Sequence, residues 1–480
     1  MRRRLGSPSE RVSALHRRLV SDHAVVLVVA AVSLSVVTVA AHANSDGGKL
    51  WLARYDGEAS GADVATSVAV SPDGAVVFVT GYGPGTGTSD DFETVAYDAD
   101  TGLAKWVSRF DGPAHESDIA HSVTVSPDGT RVFVTGTSLG PHDEDFATVA
   151  LDAATGLIEW SRLYDGAGHL FDEADQVVVS PDGSNIFVTG GSIGATDYDF
   201  ATVAYDAGTG STLWVDRFDG PSNGYDFARS IAVSPDGSKV FVTGEATFGA
   251  ATDGDYATLA YDAATGARLW LGRYAGWAHA EDQAQRVVAG TDGSKVFVTG
   301  RSYGRADDYA TVAYDSGTGA HLWAKRYDGH GHGDDDANDL TESPDRSSVI
   351  VTGQSHGAGA SDFATISYDA ATGSVQWIKR FNGESGGGGA ISVLTSPGGT
   401  EAYVTGSVSM VPGADDYATV AYDLPTGRQL GVRRYSSPGL GGNDVPHASA
   451  VSPDGSKFFV TGAAVPGSTG WDFVTVAYAV

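Results

Sequence analysis

The chain has 480 residues, of which 41% are hydrophobic and 64 are glycine, and its formal net charge is −30. This apolar content is enough for a large folded body, so the glycines indicate turns and not a disordered chain. The negative charge disfavours nucleic acid and anionic lipid as partners. The sequence contains no cysteine, which excludes disulfides, thiolate metal sites and a thiol nucleophile.

The first 43 residues have the pattern of an export signal. Six arginines between residues 2 and 18 precede an uncharged stretch at 24–41, and Ala-His-Ala follows at 41–43. We predict cleavage after Ala43, which leaves residues 44–480 as one secreted or cell-surface domain. An uncleaved membrane anchor is the alternative, because the apolar stretch approaches the length of a membrane span. We expect no membrane span in the mature chain.

The remainder of the sequence is an eightfold repeat with a period of 53 to 56 residues. Each unit contains four short runs rich in Val, Ile, Phe, Tyr and Thr, which are typical of strands. The turns between them carry Ser-Pro-Asp-Gly or Asp-Ala-Ala-Thr-Gly. Each unit is therefore predicted to be an antiparallel meander of four strands, A to D. The second strand of each unit ends at Gly81, Gly136, Gly190, Gly244, Gly300, Gly353, Gly406 and Gly462.

Eight such sheets predict an all-β fold, an eight-bladed β-propeller. Residues 47–57 read as a D strand without its own A, B and C strands, and residues 472–480 read as a C strand without its D strand. We predict that residues 50–55 pair with residues 474–478 and so complete the eighth blade. This pairing of the N- and C-terminal strands closes the ring and removes an open sheet edge.

The segment AYDAGTGSTLW at 204–214 resembles the tryptophan-docking motif A-x-D-x-x-T-G-x-x-x-W of quinoprotein alcohol dehydrogenases. SPDGSKVFVTG at 234–244 is similar to the repeat of YVTN-type and other bacterial β-propeller repeat proteins. The resemblance covers nearly all of 47–480. It implies either a PQQ (quinone) dehydrogenase or a cofactor-free scaffold. The dehydrogenases typically use a cysteine pair over the cofactor, which is missing here, and the resemblance assigns no catalytic residue.

Residues that recur in every unit are explained by the repeat itself. The motif tryptophans are Trp51, Trp106, Trp160, Trp214, Trp270, Trp323 and Trp377, with Gly431 as the exception. Aspartates precede strand C at 91, 145, 199, 255, 308, 362, 416 and 472, and precede strand A at 63, 118, 172, 226, 282, 335 and 444. We predict that both aspartate series bond turn amides, because one carboxylate per loop is too few for calcium.

The long B–C and D–A loops are expected on one face, which is then the binding face. Two positions near the axis differ from blade to blade. At the start of strand A they are Thr66, His121, Asp175, Arg229, Gln285, Asn338, Ile391 and His447. After the strand B glycine they are Tyr82, Thr137, Gly191, Glu245, Arg301, Gln354, Ser407 and Ala463.

Blades four to six thereby predict a ligand site composed of Arg229, Glu245, Arg286, Arg301, Asn338 and Gln354. Arginine forks suit carboxylate or phosphate groups. An ion-pair cluster that satisfies itself is the alternative. A weak metal signal comes from four aspartates in the run HGHGDDDAND, with calcium as the candidate ion and no other cofactor expected. These are Asp334, Asp335, Asp336 and Asp339.

The sequence therefore predicts an exported, monomeric propeller that acts as a scaffold or binding protein through its long-loop face. Its partner is expected to be an extracellular protein, a carbohydrate or a small anionic ligand. The alternative is a quinone-dependent or carbohydrate-active enzyme that uses the axial pocket.

Overall fold

The computed structural model describes residues 38–41, 48–59, 61–140, 142–194, 197–249, 254–277, 280–357, 359–383, 386–411, 414–437, 442–465 and 470–480. They lie in one compact unit, 35–480. The regular elements within these ranges are all β-strands, arranged in eight sheets that form the predicted eight-bladed propeller. None of these residues forms a helix able to cross a membrane.

Each blade contains four consecutive antiparallel strands, with one interruption at the ring closure. Blade one has β3 Val64–Val70, β4 Val76–Pro84, β5 Asp90–Asp98 and β6 Ala104–Phe110. Blade two has β7 Asp118–Val125, β8 Arg131–Leu139, β9 Glu144–Asp152 and β10 Ile158–Tyr164. Blade three has β11 Asp172–Val179, β12 Asn185–Ile193, β13 Tyr198–Asp206 and β14 Thr212–Phe218. Blade four has β15 Phe227–Val233, β16 Lys239–Ala246, β17 Asp255–Asp262 and β18 Arg268–Tyr274.

The second half of the ring follows the same order. Blade five has β19 Asp282–Ala289, β20 Lys295–Tyr303, β21 Asp307–Asp315 and β22 His321–Tyr327. Blade six has β23 Asp335–Glu342, β24 Ser348–His356, β25 Ser361–Asp369 and β26 Val375–Phe381. Blade seven has β27 Gly388–Thr395, β28 Glu401–Val411, β29 Ala414–Asp423 and β30 Gln429–Tyr435. Blade eight has β31 Asp444–Val451, β32 Lys457–Ala464, β33 Asp472–Ala479 and β2 Lys49–Tyr55.

Blade eight joins the two ends of the propeller, as predicted. Its outer strand β2 pairs antiparallel with β33, from Lys49 opposite Tyr478 to Tyr55 opposite Phe473. A fifth strand, β1 Thr38–Ala41, pairs with the free edge of β2. This short strand lies within the segment that we predict to be removed with the export signal.

The A–B hairpins form because the Ser-Pro-Asp-Gly turn satisfies its own backbone. In blade one the Ser71 hydroxyl donates to Asp73 at 2.6 Å and accepts from the Val76 amide at 2.9 Å. Gly74 takes a φ of +73°, a conformation that suits glycine. A Cβ on Gly74 would contact Pro453 of blade eight at 3.5 Å, so neighbouring turns pack side by side.

The hydrophobic core lies between adjacent blades. Trp214 of blade three packs with Tyr261 of blade four, and its Nε1 donates to the Ala263 carbonyl at 2.9 Å. The blade-four turn places Gly266 against the indole, where a Cβ would lie 2.6 Å from the ring. This explains why Thr-Gly and Trp recur together in the repeat, and it confirms that the Trp series is structural.

Candidate functional site

The innermost strands surround a cavity on the propeller axis. Strand A of every blade contacts strand A of the next blade, and the contact between β31 and β3 closes the circle. The cavity has a volume of about 440 Å³ and is lined mainly by Ser, Thr, Asp, Asn, Gln, His and Arg side chains, with a few Val, Ile and Leu.

Each A strand contains a β-bulge at one equivalent position. In blade four the register shifts between Ala228 and Ser230, so that Arg229 is the extra residue. The eight bulge residues all line the cavity, and they are Thr66, His121, Asp175, Arg229, Gln285, Asn338, Ile391 and His447. We call this set the bulge ring. Comparison of the eight repeat units predicts these positions, whereas nothing in the sequence indicates the bulge itself. Bulges commonly re-aim a side chain beside a functional site.

Four members of the bulge ring are tied to the next blade by hydrogen bonds. Thr66 donates to the Ala120 carbonyl at 2.7 Å, and Asn338 donates to the Ala390 carbonyl at 2.8 Å. The Nδ1 atoms of His121 and His447 make the same contact to Ala174 and Ala65, at 2.9 and 2.7 Å. These side chains therefore help to hold the blades together.

Asp175, Arg229, Gln285 and Ile391 do not make this inter-blade bond within the described part of the chain. An ionised Asp175 has no proton to donate, and burial raises its pKa well above the usual value, with Glu173 raising it further and Arg229 lowering it. His121, Glu173 and Asp175 each offer a ligand atom within 4.8 Å of the others. The cavity wall of blades two to four thus carries three ionisable side chains of the bulge ring, His121, Asp175 and Arg229.

The structure divides the predicted six-residue site between the cavity and its rim. Arg229, Arg286 and Asn338 line the cavity. Glu245, Arg301 and Gln354 lie on strand B, opposite residues that precede the bulge by two positions. These three residues therefore lie closer to the long loops than the bulge residues do.

Two of the predicted arginines are already paired. Arg286 forms an ion pair with Asp339, with Nε 3.2 Å from Oδ1, although the angle does not make this contact a hydrogen bond. Arg301 contacts Glu281 at 2.6 Å and Asp307 at 3.3 Å. These two residues therefore match the alternative predicted from the sequence, an ion-pair cluster that satisfies itself.

Arg229 is different. It has no hydrogen bond or ion pair with any described residue, and its buried Nε lacks a partner. Its guanidinium lies over the Phe227 ring, 5.1 Å from the centroid. Nearby, burial raises the pKa of Glu245 to about 7, although the positive charge of Arg229 lowers it. An unpaired guanidinium that faces a cavity is suited to an anionic group.

The four aspartates of the weak metal prediction do not share one set of contacts. Asp334 Oδ1 accepts from the Asp307 amide at 3.4 Å. Asp335 accepts from the Gly329 and His356 amides at 2.5 and 3.0 Å, while Asp339 faces Arg286 in the cavity. Asp336 is opposite Gln354, and its Oδ1 is buried without a partner.

The two aspartate series differ in their contacts. The series before strand A bonds turn amides as predicted; Asp118, for example, accepts from the Gly112 amide at 2.6 Å. In the series before strand C the contacts that the structure shows are mainly to arginine and not to turn amides. Five of these aspartates form ion pairs with arginines of strand D, which the sequence analysis missed. Both series lie with the long loops, since the Asp282 amide donates to Gly254 of the preceding B–C loop at 2.6 Å.

The resemblance to quinoproteins raises the question of whether the cavity suits PQQ. Its described lining contains no Phe, Tyr or Trp to stack on a quinone ring, and the chain has no cysteine to cover one. The residues of this cavity do not fit that cofactor.

The fold and the axial cavity define the class of protein, a β-propeller built from PQQ-like repeats. A family model described as outer membrane protein assembly factor BamB (PQQ_2) matches residues 36–229, 174–387 and 255–460, and the chain belongs to this family. Among curated proteins, none matches the sequence.

Solved propellers are similar in fold. Chaetomium thermophilum Sqt1 bound to the N-terminus of the ribosomal protein L10 has a TM-score of 0.58 and 14% identity, covering 88% of this chain and 98% of that chain. The C-terminal WD40 domain of Sif2 has a TM-score of 0.56 and 11% identity, with coverages of 87% and 96%. BamB from Moraxella catarrhalis has a TM-score of 0.48 and 16% identity, with coverages of 86% and 93%. At these identities the likeness concerns the fold alone.

Proposed function

We propose that the protein is an exported scaffold that binds a carboxylate-bearing ligand at the axial cavity, with Arg229 as the anchor. The observation that carries the proposal is the unpaired guanidinium of Arg229 in the cavity wall. Arg286 and Arg301, which the sequence grouped with it, already have carboxylate partners. The anionic ligand is therefore assigned to one arginine and not to three.

The surroundings of Arg229 add selectivity. The chain carries a net charge of −30, so an anion that makes no specific bond is repelled. Glu245 and Asp175 flank the guanidinium and take up protons easily, because burial raises the pKa of both groups. A ligand carboxylate then meets a local site that is less negative than the rest of the surface. The fold neighbour Sqt1, which is bound to a protein N-terminus, supports the idea of a propeller that binds a peptide segment.

The test uses citrate as a simple carboxylate probe in calorimetric titrations of the wild type and of Arg229→Met. The methionine keeps the length and packing of the stem while it removes the charge. We expect citrate binding in the wild type and a loss of at least tenfold in affinity in Arg229→Met.

Arg301→Met is the matched control, because it removes a paired arginine from the rim of the same cavity. It should retain citrate affinity and lose a little thermal stability. Equal affinity in all three proteins, or a loss confined to Arg301→Met, would contradict the assignment to Arg229.

Export is the second part of the proposal and has its own test. Cleavage after Ala43 gives a mature chain that begins at Asn44, without the edge strand β1. Mass spectrometry of protein collected outside the producing cell should show that N-terminus. A secreted or membrane-bound protein that retains residues 1–43 would contradict cleavage.

A further inference from the structure

One blade lacks an arginine that the other seven blades carry at the equivalent position of strand D. In five blades an aspartate near the start of strand C pairs with the strand D arginine 18 residues later. The N···O distances are 2.6 Å for Asp91–Arg109, 2.7 Å for Asp199–Arg217, 2.5 Å for Asp255–Arg273, 2.6 Å for Asp308–Arg326 and 3.0 Å for Asp362–Arg380. Arg434 and Arg54 occupy the position in blades seven and eight, and only blade two has a leucine there, Leu163.

Leu163 leaves Asp145 without a cation although the carboxylate is buried. Asp145 is 3% exposed, and no described residue forms a hydrogen bond or an ion pair with it. Arg162, the neighbour of Leu163, donates hydrogen bonds to the Gly210 and Thr209 carbonyls at 2.7 Å each and so points away from Asp145. The carboxylate packs directly against Gly140, where a Cβ would lie 2.0 Å from Oδ2 of Asp145.

Two further carboxylates face Asp145 at the junction of blades two and three. Asp145, Asp165 and Asp172 each offer one oxygen, and these oxygens all lie within 4.8 Å of one another. Asp172 is 0% exposed; its Oδ2 accepts from the Gly166 amide at 2.5 Å, while its Oδ1 is buried without a partner. Burial, together with the charges of Asp165, Asp172 and Asp143, raises the pKa of Asp145 to about 7. The cluster therefore holds three carboxylates, of which Asp165 is paired with His169 Nδ1 at 2.7 Å, while Asp145 has no described partner.

The other aspartate triplets provide an internal comparison. Asp91, Asp111 and Asp118 form such a triplet, and so do Asp199, Asp219 and Asp226. In each of these triplets the strand C aspartate already binds Arg109 or Arg217. Three clustered carboxylates thus belong to the repeat. In the triplet of Asp56, Asp63 and Asp472 the strand D position carries Arg54, which donates to Tyr435 but whose charge still lowers the pKa of Asp472, whereas only beside Asp145 is that position a leucine.

We propose that Asp145, Asp165 and Asp172 bind a divalent cation, Ca²⁺, which takes the place of the absent arginine. Calcium prefers carboxylate and carbonyl oxygens and tolerates irregular geometry, completing its six to eight ligands with water. The site is distinct from the axial cavity and from the aspartates 334–339. It would neutralise the junction of blades two and three, as arginine does at the neighbouring junctions.

The first experiment measures Ca²⁺ binding to EGTA-treated protein by calorimetry, together with Tm. The expected result is one Ca²⁺ per chain and a Tm that rises by a few degrees, because a ligand that binds only the folded state stabilises it. Leu163→Arg restores the pair found in the other blades. It should abolish Ca²⁺ binding and raise the Tm in EGTA to about the level of the Ca²⁺-loaded wild type.

The reciprocal variant is Arg217→Leu, which removes the arginine beside Asp199, Asp219 and Asp226. It should bind a second Ca²⁺ and lose stability in EGTA. If Leu163→Arg does not fold, Asp145→Asn takes its role and should lose Ca²⁺ binding. The proposal is overturned if the wild type does not bind Ca²⁺, or if binding survives both Leu163→Arg and Asp145→Asn. It is also overturned if the protein binds only Zn²⁺, which would point to His142 and His169, whose ring centroids are 5.5 Å apart.

Discussion

The outer and inner parts of each blade use the repeat in opposite ways. At the outer part, seven strand D tryptophans insert against the next blade, and each Nε1 bonds a backbone carbonyl at 2.9 to 3.2 Å. At the inner part, the bulge ring keeps one backbone geometry but presents seven different residue types. The repeated tryptophan contacts hold the ring together, and the varied side chains of the bulge ring make the cavity chemically asymmetric.

The single exception at the outer part clarifies the rule. Gly431 stands where the eighth tryptophan would be, and Arg433 Nη2 instead donates to the Ala479 carbonyl at 2.6 Å. Tyr403 packs against Phe458 in the space beside it, with centroids 5.2 Å apart. A different side chain, that of Arg433, thus makes the hydrogen bond to the next blade.

The largest expected effect comes from breaking the outer part where the ring closes. Deletion of residues 44–57 removes β2 and Trp51, and exposes the edge of β33. The truncated protein should aggregate or lose its cooperative unfolding transition, because an unpaired strand edge invites association. Size-exclusion chromatography and thermal melting measure this. A monomer with unchanged melting would show that closure is dispensable.

The next effect concerns a single tryptophan. Trp214→Ala removes a buried indole and the bond to Ala263, and should lower the free energy of unfolding by about 3–5 kcal/mol. Gly431→Ala is the control, since a Cβ there meets nothing within 4 Å. Denaturant unfolding of both variants checks the comparison. Equal stabilities would mean that the docking contact contributes little.

A smaller, pH-dependent effect is expected at the rim of the cavity. Burial raises the pKa of Glu245 from 4.5 to about 7. A carboxyl whose folded-state pKa is raised contributes stability that is fully present below pH 4.5 and is lost as the pH rises through 7. The wild type should therefore lose roughly 1–3 kcal/mol more than Glu245→Gln between pH 5 and pH 8. Parallel pH profiles of the two proteins would contradict the shifted pKa.

The smallest effect concerns the inter-blade bonds of the bulge ring. Thr66→Val removes the bond to Ala120 and should cost about 0.5–1.5 kcal/mol. Ile391→Val, at a position without such a bond, loses one methylene and serves as the reference for a cavity-lining change. Chemical denaturation resolves the difference. A cost for Thr66→Val no greater than that of the reference would place the blade contacts elsewhere.

The repeat explains why the fold was predictable and why part of the site was not. Because the same order of strands and turns occurs eight times, an ambiguous segment in one unit is resolved by the other units. The predicted blade order and the pairing of residues 50–55 with 474–478 are both confirmed. The pairing of Arg286 with Asp339 depends on two neighbouring blades, which no single unit encodes. The Asp–Arg pairs of strands C and D were missed, although their constant spacing of 18 residues was present in the sequence.

The pairing of β2 with β33 also fixes the order in which the molecule can be finished. The two strands are separated by more than 400 residues, so the first strand of the propeller is synthesised long before its partner. At translation rates of about 5–20 residues per second this interval is roughly 20–80 s. Throughout that time Trp51 has no completed blade eight to hold it against blade one. The last step of maturation is therefore the joining of the earliest and latest parts of the domain, and any factor that shields the waiting strand would raise the yield of folded protein.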